Sequence, residues 1–177
     1  FSPILAPGAR LDVYAPAQES GSLADTVRSF MSPPYFPVEI DALPGEFVFH
    51  EMGAGPIDIQ GAKVTSAPVP HVGPTLGYRV EHDGTTVVYI SDHQQPAPGS
   101  TEVSQQVLDL CEGADLLIHD AQFDDEELAQ RPDWGHCTAD YAVEVAARAG
   151  VRTLALFHHD PSHSDERIDE LHERAEE

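Results

Sequence analysis

The sequence predicts a mixed α/β (α+β) domain in which helices lie on a largely β core. Two observations predict it. Meandering strand-like segments fill the first half, and one pair of them is joined by a hairpin signal. The second half then alternates strand, helix, strand, helix, and its strands are near-continuous apolar runs of the kind buried on both faces. No internal repeat or low-complexity linker divides the 177 residues, so one domain over 1–177 is expected.

The elements follow in chain order. "LDVYAP" (Leu11 to Pro16) reads as a short strand, and "SLADTVRSFM" (Ser22 to Met31) as a helix with Ser22 as N-cap. "SPPYFPV" stops that helix, because its prolines lack the N–H that a helix needs. "EFVFHEM" (Glu46 to Met52), "AKVTSAPV" (Ala62 to Val69), "LGYRVEH" (Leu76 to His82) and "TTVVYIS" (Thr85 to Ser91) read as strands. Asp83-Gly84 between the last two is a two-residue hairpin turn. "EVSQQVLDLC" is helical and "ADLLIHD" is a buried strand. "TADYAVEVAARAG" places Ala142, Val145, Ala146 and Ala149 at helical spacing, with Thr138 as N-cap and Gly150 as the stop. "RTLALFH" is a further buried strand, and "SDERIDELHERAEE" an exposed helix starting near Ser164.

Charge narrows the function. Nine Lys and Arg face 31 Asp and Glu, for a formal charge of −22, and Lys63 is the only lysine. Such a surface repels polyanions and offers no basic footprint, so nucleic acid is not the expected partner. Proteins of a salt-rich cytoplasm and merely acidic bacterial proteins both share this composition. No stretch is long and apolar enough to span a bilayer, so no membrane partner is expected. Cys111 and Cys137 form no CxxC, and a reducing cytoplasm is the expected compartment.

Polar residues of ligand type fall at the tips of the strands. His71 closes "TSAPVPH", Asp92 closes "VVYISD", His119 and Asp120 close "LLIHD", and His158 closes "LALFH". His136 lies just before the helix that begins near Thr138. If these tips gather on one side, His71, Asp92, His136 and His158 share a pocket. Imidazole and carboxylate together suit zinc, manganese or iron, and an aspartate can bridge two divalent cations. Any one of these histidines read alone is equally a satisfied interior side chain. His50, His82, His93 and His172 are assigned to turns or polar faces, and "DDEE" (Asp124 to Glu127) to a solvated helix face. Tyr35 and Phe36 of "SPPYFPV" read as a packed turn, with a pocket wall or a homodimer contact as alternatives.

The order of "VPHVGPTLGYRV", "VVYISDHQ", "DLLIHDAQF", "WGHCTADYAVEVA" and "LALFHHDP" resembles the C-terminal two-thirds of a metallo-β-lactamase-fold hydrolase. The similarity is to the branch containing ribonuclease Z and small cyclic-phosphodiester hydrolases. The resemblance implies a four-layer αββα sandwich, incomplete at its N-terminus, with a two-metal site at one edge. It implies two divalent metal ions, zinc first, with manganese or iron as alternatives. His71 and His158 would be terminal ligands and Asp92 the bridge. His136 would contact the scissile phosphate or protonate the leaving group, and Asp120 would orient it. His159 and His163 take no ligand role by position; they belong to the rim or stand behind the ligands, with contact to a substrate as the alternative for His159.

The sequence departs from the family in three ways. It contains no HxHxDH, the family's principal ligand motif, so the chain is expected to be part of a longer protein, with two protein ligands per ion where three are usual. Between "GYR" and "ISD" only the Asp83-Gly84 hairpin stands where ribonuclease Z carries a long basic arm, which argues against precursor tRNA. Asp120 replaces a more usual glutamate, and Cys137 a serine. Cys137 has no base at an obvious spacing and is expected to be a neutral core thiol. Two readings remain. One is a metal-dependent hydrolase of a small phosphodiester or related ester, acting through a water activated by two metals. The other is a non-catalytic, degenerate module for binding or assembly. An in-frame HxHxDH encoded upstream of Phe1 would favour the first, and a start codon directly before Phe1 the second.

Overall fold

The structure is a computed structural model that describes residues 2–18 and 21–176. Phe1, whose place at the start bears on the two readings, lies outside the described residues. The chain forms two compact units, 1–53 and 54–177. The expected mixed α/β class is what the structure has.

In the first unit, β1 (Arg10–Ala15) and β2 (Glu46–Glu51) form a parallel two-stranded sheet. The crossover contains α1 (Leu23–Phe30). Ser22 caps α1 as its pattern predicts. The Ser22 hydroxyl accepts the Asp25 N–H at 3.1 Å, and the Asp25 carboxylate accepts the Ser22 N–H in return. Among the described residues of this unit, Ile4, Leu23 and Ile40 are the buried apolar ones. His50 stacks on Tyr14 with centroids 4.3 Å apart and pairs with Asp12. Tyr35 does not sit in a packed turn: it is 81% exposed.

The second unit is built on a six-stranded sheet in sequence order: β3 (Gly55–Ile59), β4 (Ala62–Pro68), β5 (Leu76–His82), β6 (Thr85–Ile90), β7 (Leu116–Asp120) and β8 (Leu154–Phe157). Strands β3 to β6 meander antiparallel, and β6, β7 and β8 run parallel. Asp83 at φ 48° and Gly84 at φ 75° make the left-handed hairpin between β5 and β6. The helices are α2 (Gln105–Cys111), α3 (Asp125–Gln130), α4 (Ala139–Ala149) and α5 (Asp165–Ala175). Ser104, Asp124, Thr138 and Ser164 cap them. Helices α2 and α4 bury Val107, Leu110, Cys111, Tyr141 and Val145 against Val88, Ile90 and Leu117 of the sheet. Each such aliphatic side chain contributes roughly 2 kcal/mol by leaving water.

Strand β3 was not anticipated. Strand β8 is less buried than its apolar run suggests: it is the sheet's last strand, and Phe157 is 40% exposed. "DDEE" is solvated only at Asp125 and Glu126. Asp124 and Glu127 form a capping box, and they pair with Arg167 and His163.

Candidate metal centre

Strand direction builds the site. Two antiparallel steps make β4 run the same way as β6, and β7 and β8 follow β6. The C-terminal tips of all four strands therefore reach one edge of the sheet. His71 lies three residues past β4, Asp92 two past β6, Asp120 ends β7, and His158 directly follows β8. A short bridge between Phe123 and Thr138 brings the segment holding His136 to the same edge.

The structure brings the five residues named from the sequence together. Single ligand atoms of His71, Asp92 and His136 lie within 4.8 Å of one another, and so do those of Asp120, His136 and His158. Asp92 Oδ1 is 4.0 Å from both His136 Nδ1 and His158 Nε2. The rings of His136 and His158 stack with centroids 4.8 Å apart.

The donor set suits a divalent cation. His71 Nδ1–H donates to the Val72 carbonyl at 2.9 Å, which leaves the Nε2 lone pair free, as a ligating histidine requires. The His71 ring sits so close to the chain that a Cβ at Gly135 would come within 2.4 Å of Nε2. His158 takes φ 62°, a left-handed conformation that turns its side chain off the line of β8. Its Nδ1 is buried without a hydrogen-bond partner. The Ser91 hydroxyl donates to Asp92 Oδ2 at 2.5 Å and steadies that carboxylate.

His136 and Asp120 form a second arrangement. His136 Nδ1–H donates to Asp120 Oδ2 at 2.9 Å, and Asp120 is fully buried. Asp120 also accepts backbone N–H groups from His93 at Oδ2 (2.9 Å) and Gln122 at Oδ1 (3.0 Å), which fix both of its oxygens in place. Burial alone would pull the His136 imidazole down. The hydrogen bond and charge of Asp120, with the charge of Asp92, outweigh it and leave the imidazole above its ordinary value. Cys137 is the neutral thiol expected: burial and then the charge of Asp120 push it well up, and its S–H donates to the Asp120 carbonyl.

Two polar residues escaped the sequence reading. His93 was assigned to a turn or polar face, yet it is fully buried, with its ring against His119 and Tyr141. His119, noted only as closing a strand, is its hydrogen-bonded partner at 3.0 Å. His119 had a signal, since it stands two residues after the core Leu117 and so shares its face. His93 had none, because it follows the strand. His159 faces the β8–α5 side among Leu154, Leu156 and Ile168. His163 bonds Glu127 at 2.9 Å, and neither joins a ligand group among the described residues.

Comparison with known proteins agrees with the fold. Residues 3–159 match the family described as "Beta-lactamase superfamily domain". The chain is 50% identical over 70 residues to ribonuclease Z of Brevibacillus brevis, covering 38% of this chain and 21% of that protein. It is 33% identical over 123 residues to a putative ribonuclease Z of Mycobacterium tuberculosis, covering 64% of this chain and 51% of that protein. It thus spans about half, or less, of the curated relatives it matches. In structure it is similar to the metallo-beta-lactamase fold protein YhfI from Bacillus subtilis, with a TM-score of 0.66 at 18% identity, over 95% of this chain and 58% of that one.

Proposed function

The chain belongs to the beta-lactamase superfamily, and we propose that it carries the bridging aspartate, two terminal histidines and proton donor of a metal-dependent phosphodiester hydrolase. His71, Asp92 and His158 would hold two divalent ions, zinc first. Bound there, the ions would supply an activated water near neutral pH and polarise a phosphoryl oxygen. The observation that carries the reading is the buried Asp120–His136 bond beside Asp92, with His136 Nδ1 4.0 Å from Asp92 Oδ1. Asp120 fixes the tautomer of His136 and aims the ring. Its hydrogen bond and charge favour the protonated imidazole, the form that gives a proton to a leaving oxygen. Asp92, tethered by Ser91, faces His158 and His136 with one oxygen. The free thiols of Cys111 and Cys137 support a reducing cytoplasm as the compartment.

The substrate we favour is a small phosphodiester, because a charge of −22 opposes a polyanion. The relatives named ribonuclease Z support RNA as the alternative, and the third reading is a non-catalytic module. Metal titration by calorimetry, with turnover of a chromogenic phosphodiester and of a structured RNA, separates the three. The assay uses the chain and the full product of its gene. Ion binding with faster turnover of the small diester is expected. Faster turnover of RNA would move the substrate assignment, and binding with no turnover of either would leave the module reading.

A further inference from the structure

The His93–His119 pair has no part in the reaction just described, and it lies directly behind the site. Its hydrogen-bond directions can be worked out from one end. The Asp120 carbonyl only accepts, so the proton of His119 sits on Nδ1, which donates to it at 2.7 Å. His119 Nε2 therefore carries a lone pair and accepts from His93 Nδ1–H at 3.0 Å. His93 Nε2 is left as a bare acceptor, fully buried and without a hydrogen-bond partner. An apolar pair of this size would avoid that cost. What the polar pair adds is direction.

We propose that His93 and His119 are positioning residues that fix the Asp120 carboxylate, and through it His136, relative to Asp92; this rests on the proposed roles of Asp120 and His136. His93 grips Asp120 twice. Its backbone N–H donates to Oδ2, the oxygen that also holds His136, and its ring holds the Asp120 main chain through His119. Since His93 is the residue after Asp92, the same grip ties the bridging position to the His136 dyad. The Tyr141 ring meets the His93 ring edge-on at 5.2 Å and closes the other side, with its own hydroxyl occupied by the Glu102 carbonyl.

Nitrogen-15 NMR of the histidine rings in the metal-free chain tests this. Wild type is expected to show Nδ1–H tautomers at both His93 and His119, and a slowly exchanging Nδ1 proton on His136. His93→Leu should lose that His136 signal to exchange while its melting stays cooperative. His93→Asn, whose amide places a donor near the Nδ1 position, should restore it. An Nε2–H tautomer at His119 in wild type overturns the proposal, and so does an unchanged His136 proton in folded His93→Leu. If His93→Leu fails to fold, the wild-type tautomers and the Asn variant decide. In the metal-loaded protein, His93→Leu should lower kcat roughly tenfold with metal content and KM held, a part of the roughly 10²–10⁴-fold that a positioned proton donor contributes. Absence of turnover in every form would remove the hydrolase reading and leave the NMR result standing.

Discussion

His158 holds a left-handed backbone at φ 62° that a β-carbon disfavours, at a cost of about 1–2 kcal/mol. The ligand role proposed for it would account for keeping a side chain there. His158→Gly is therefore expected to lose ion binding yet match or exceed wild type in urea stability, since glycine takes φ above zero freely. His158→Ala should lose the ion without that gain, and His159→Ala should retain the ion. Calorimetric titration of the three variants checks this, and loss of the ion from His159→Ala alone would mean that the wrong neighbour was chosen. Acid provides a second residue-level test. Burial, then the charge of His119, pushes His93 down to about 3, and burial also lowers His119. As pH falls from about 6.5 toward 3, the unfolded chain binds protons that the folded chain refuses. Stability should drop in that window by up to roughly 1.4 kcal/mol per pH unit for His93, and His119 acts in the same sense. His93→Leu should flatten the curve, and a variant curve parallel to wild type would refute the assignment. His136 acts in the opposite sense: its raised value adds stability below about 6.5 that is lost as pH rises through it.

At the level of elements, the convergence of the site was legible because strands that run parallel end together. Apolar runs ending in His71, Asp92, Asp120 and His158 needed only a shared direction to meet. Strand β3 was not legible, since "GPIDI" is short and opens on the two residues that usually punctuate strands. The partial exposure of β8 was hidden too, because an apolar run does not reveal whether a neighbour lies on each side. Gly135 gives the element-scale prediction. It stands in the segment before α4 at φ 95°, with His71 Nε2 2.4 Å from where a Cβ would be. Gly135→Ala should cost on the order of 1–3 kcal/mol in backbone strain. It should also weaken ion binding roughly 10–100-fold by displacing His71. Denaturation and ion titration measured together check both, and an unweakened ion site would remove His71 from the ligand set.

Across the whole molecule, excess negative charge opposes the compact state by self-repulsion. With a charge of −22, raising salt from about 0.01 M to 1 M shortens the screening length from roughly 30 Å to 3 Å. The melting temperature should rise across that range, and each kcal/mol recovered is worth about 2–4 °C in a chain of this size. A flat or falling curve would remove the case for adaptation to salt. The sheet order adds a consequence of another kind. β6 and β7 are flanked on both sides, while β8 has one hydrogen-bonded neighbour and lies last in the order. Amide protons of β6 and β7 should thus exchange with deuterium last, and those of β8 early. An ion held by Asp92 and His158 would clasp the tip of the fast-exchanging strand to that of a slow one. Loading the site should then slow exchange in Leu154–Phe157 far more than in Thr85–Ile90, so the edge strand would report occupancy from its own amides.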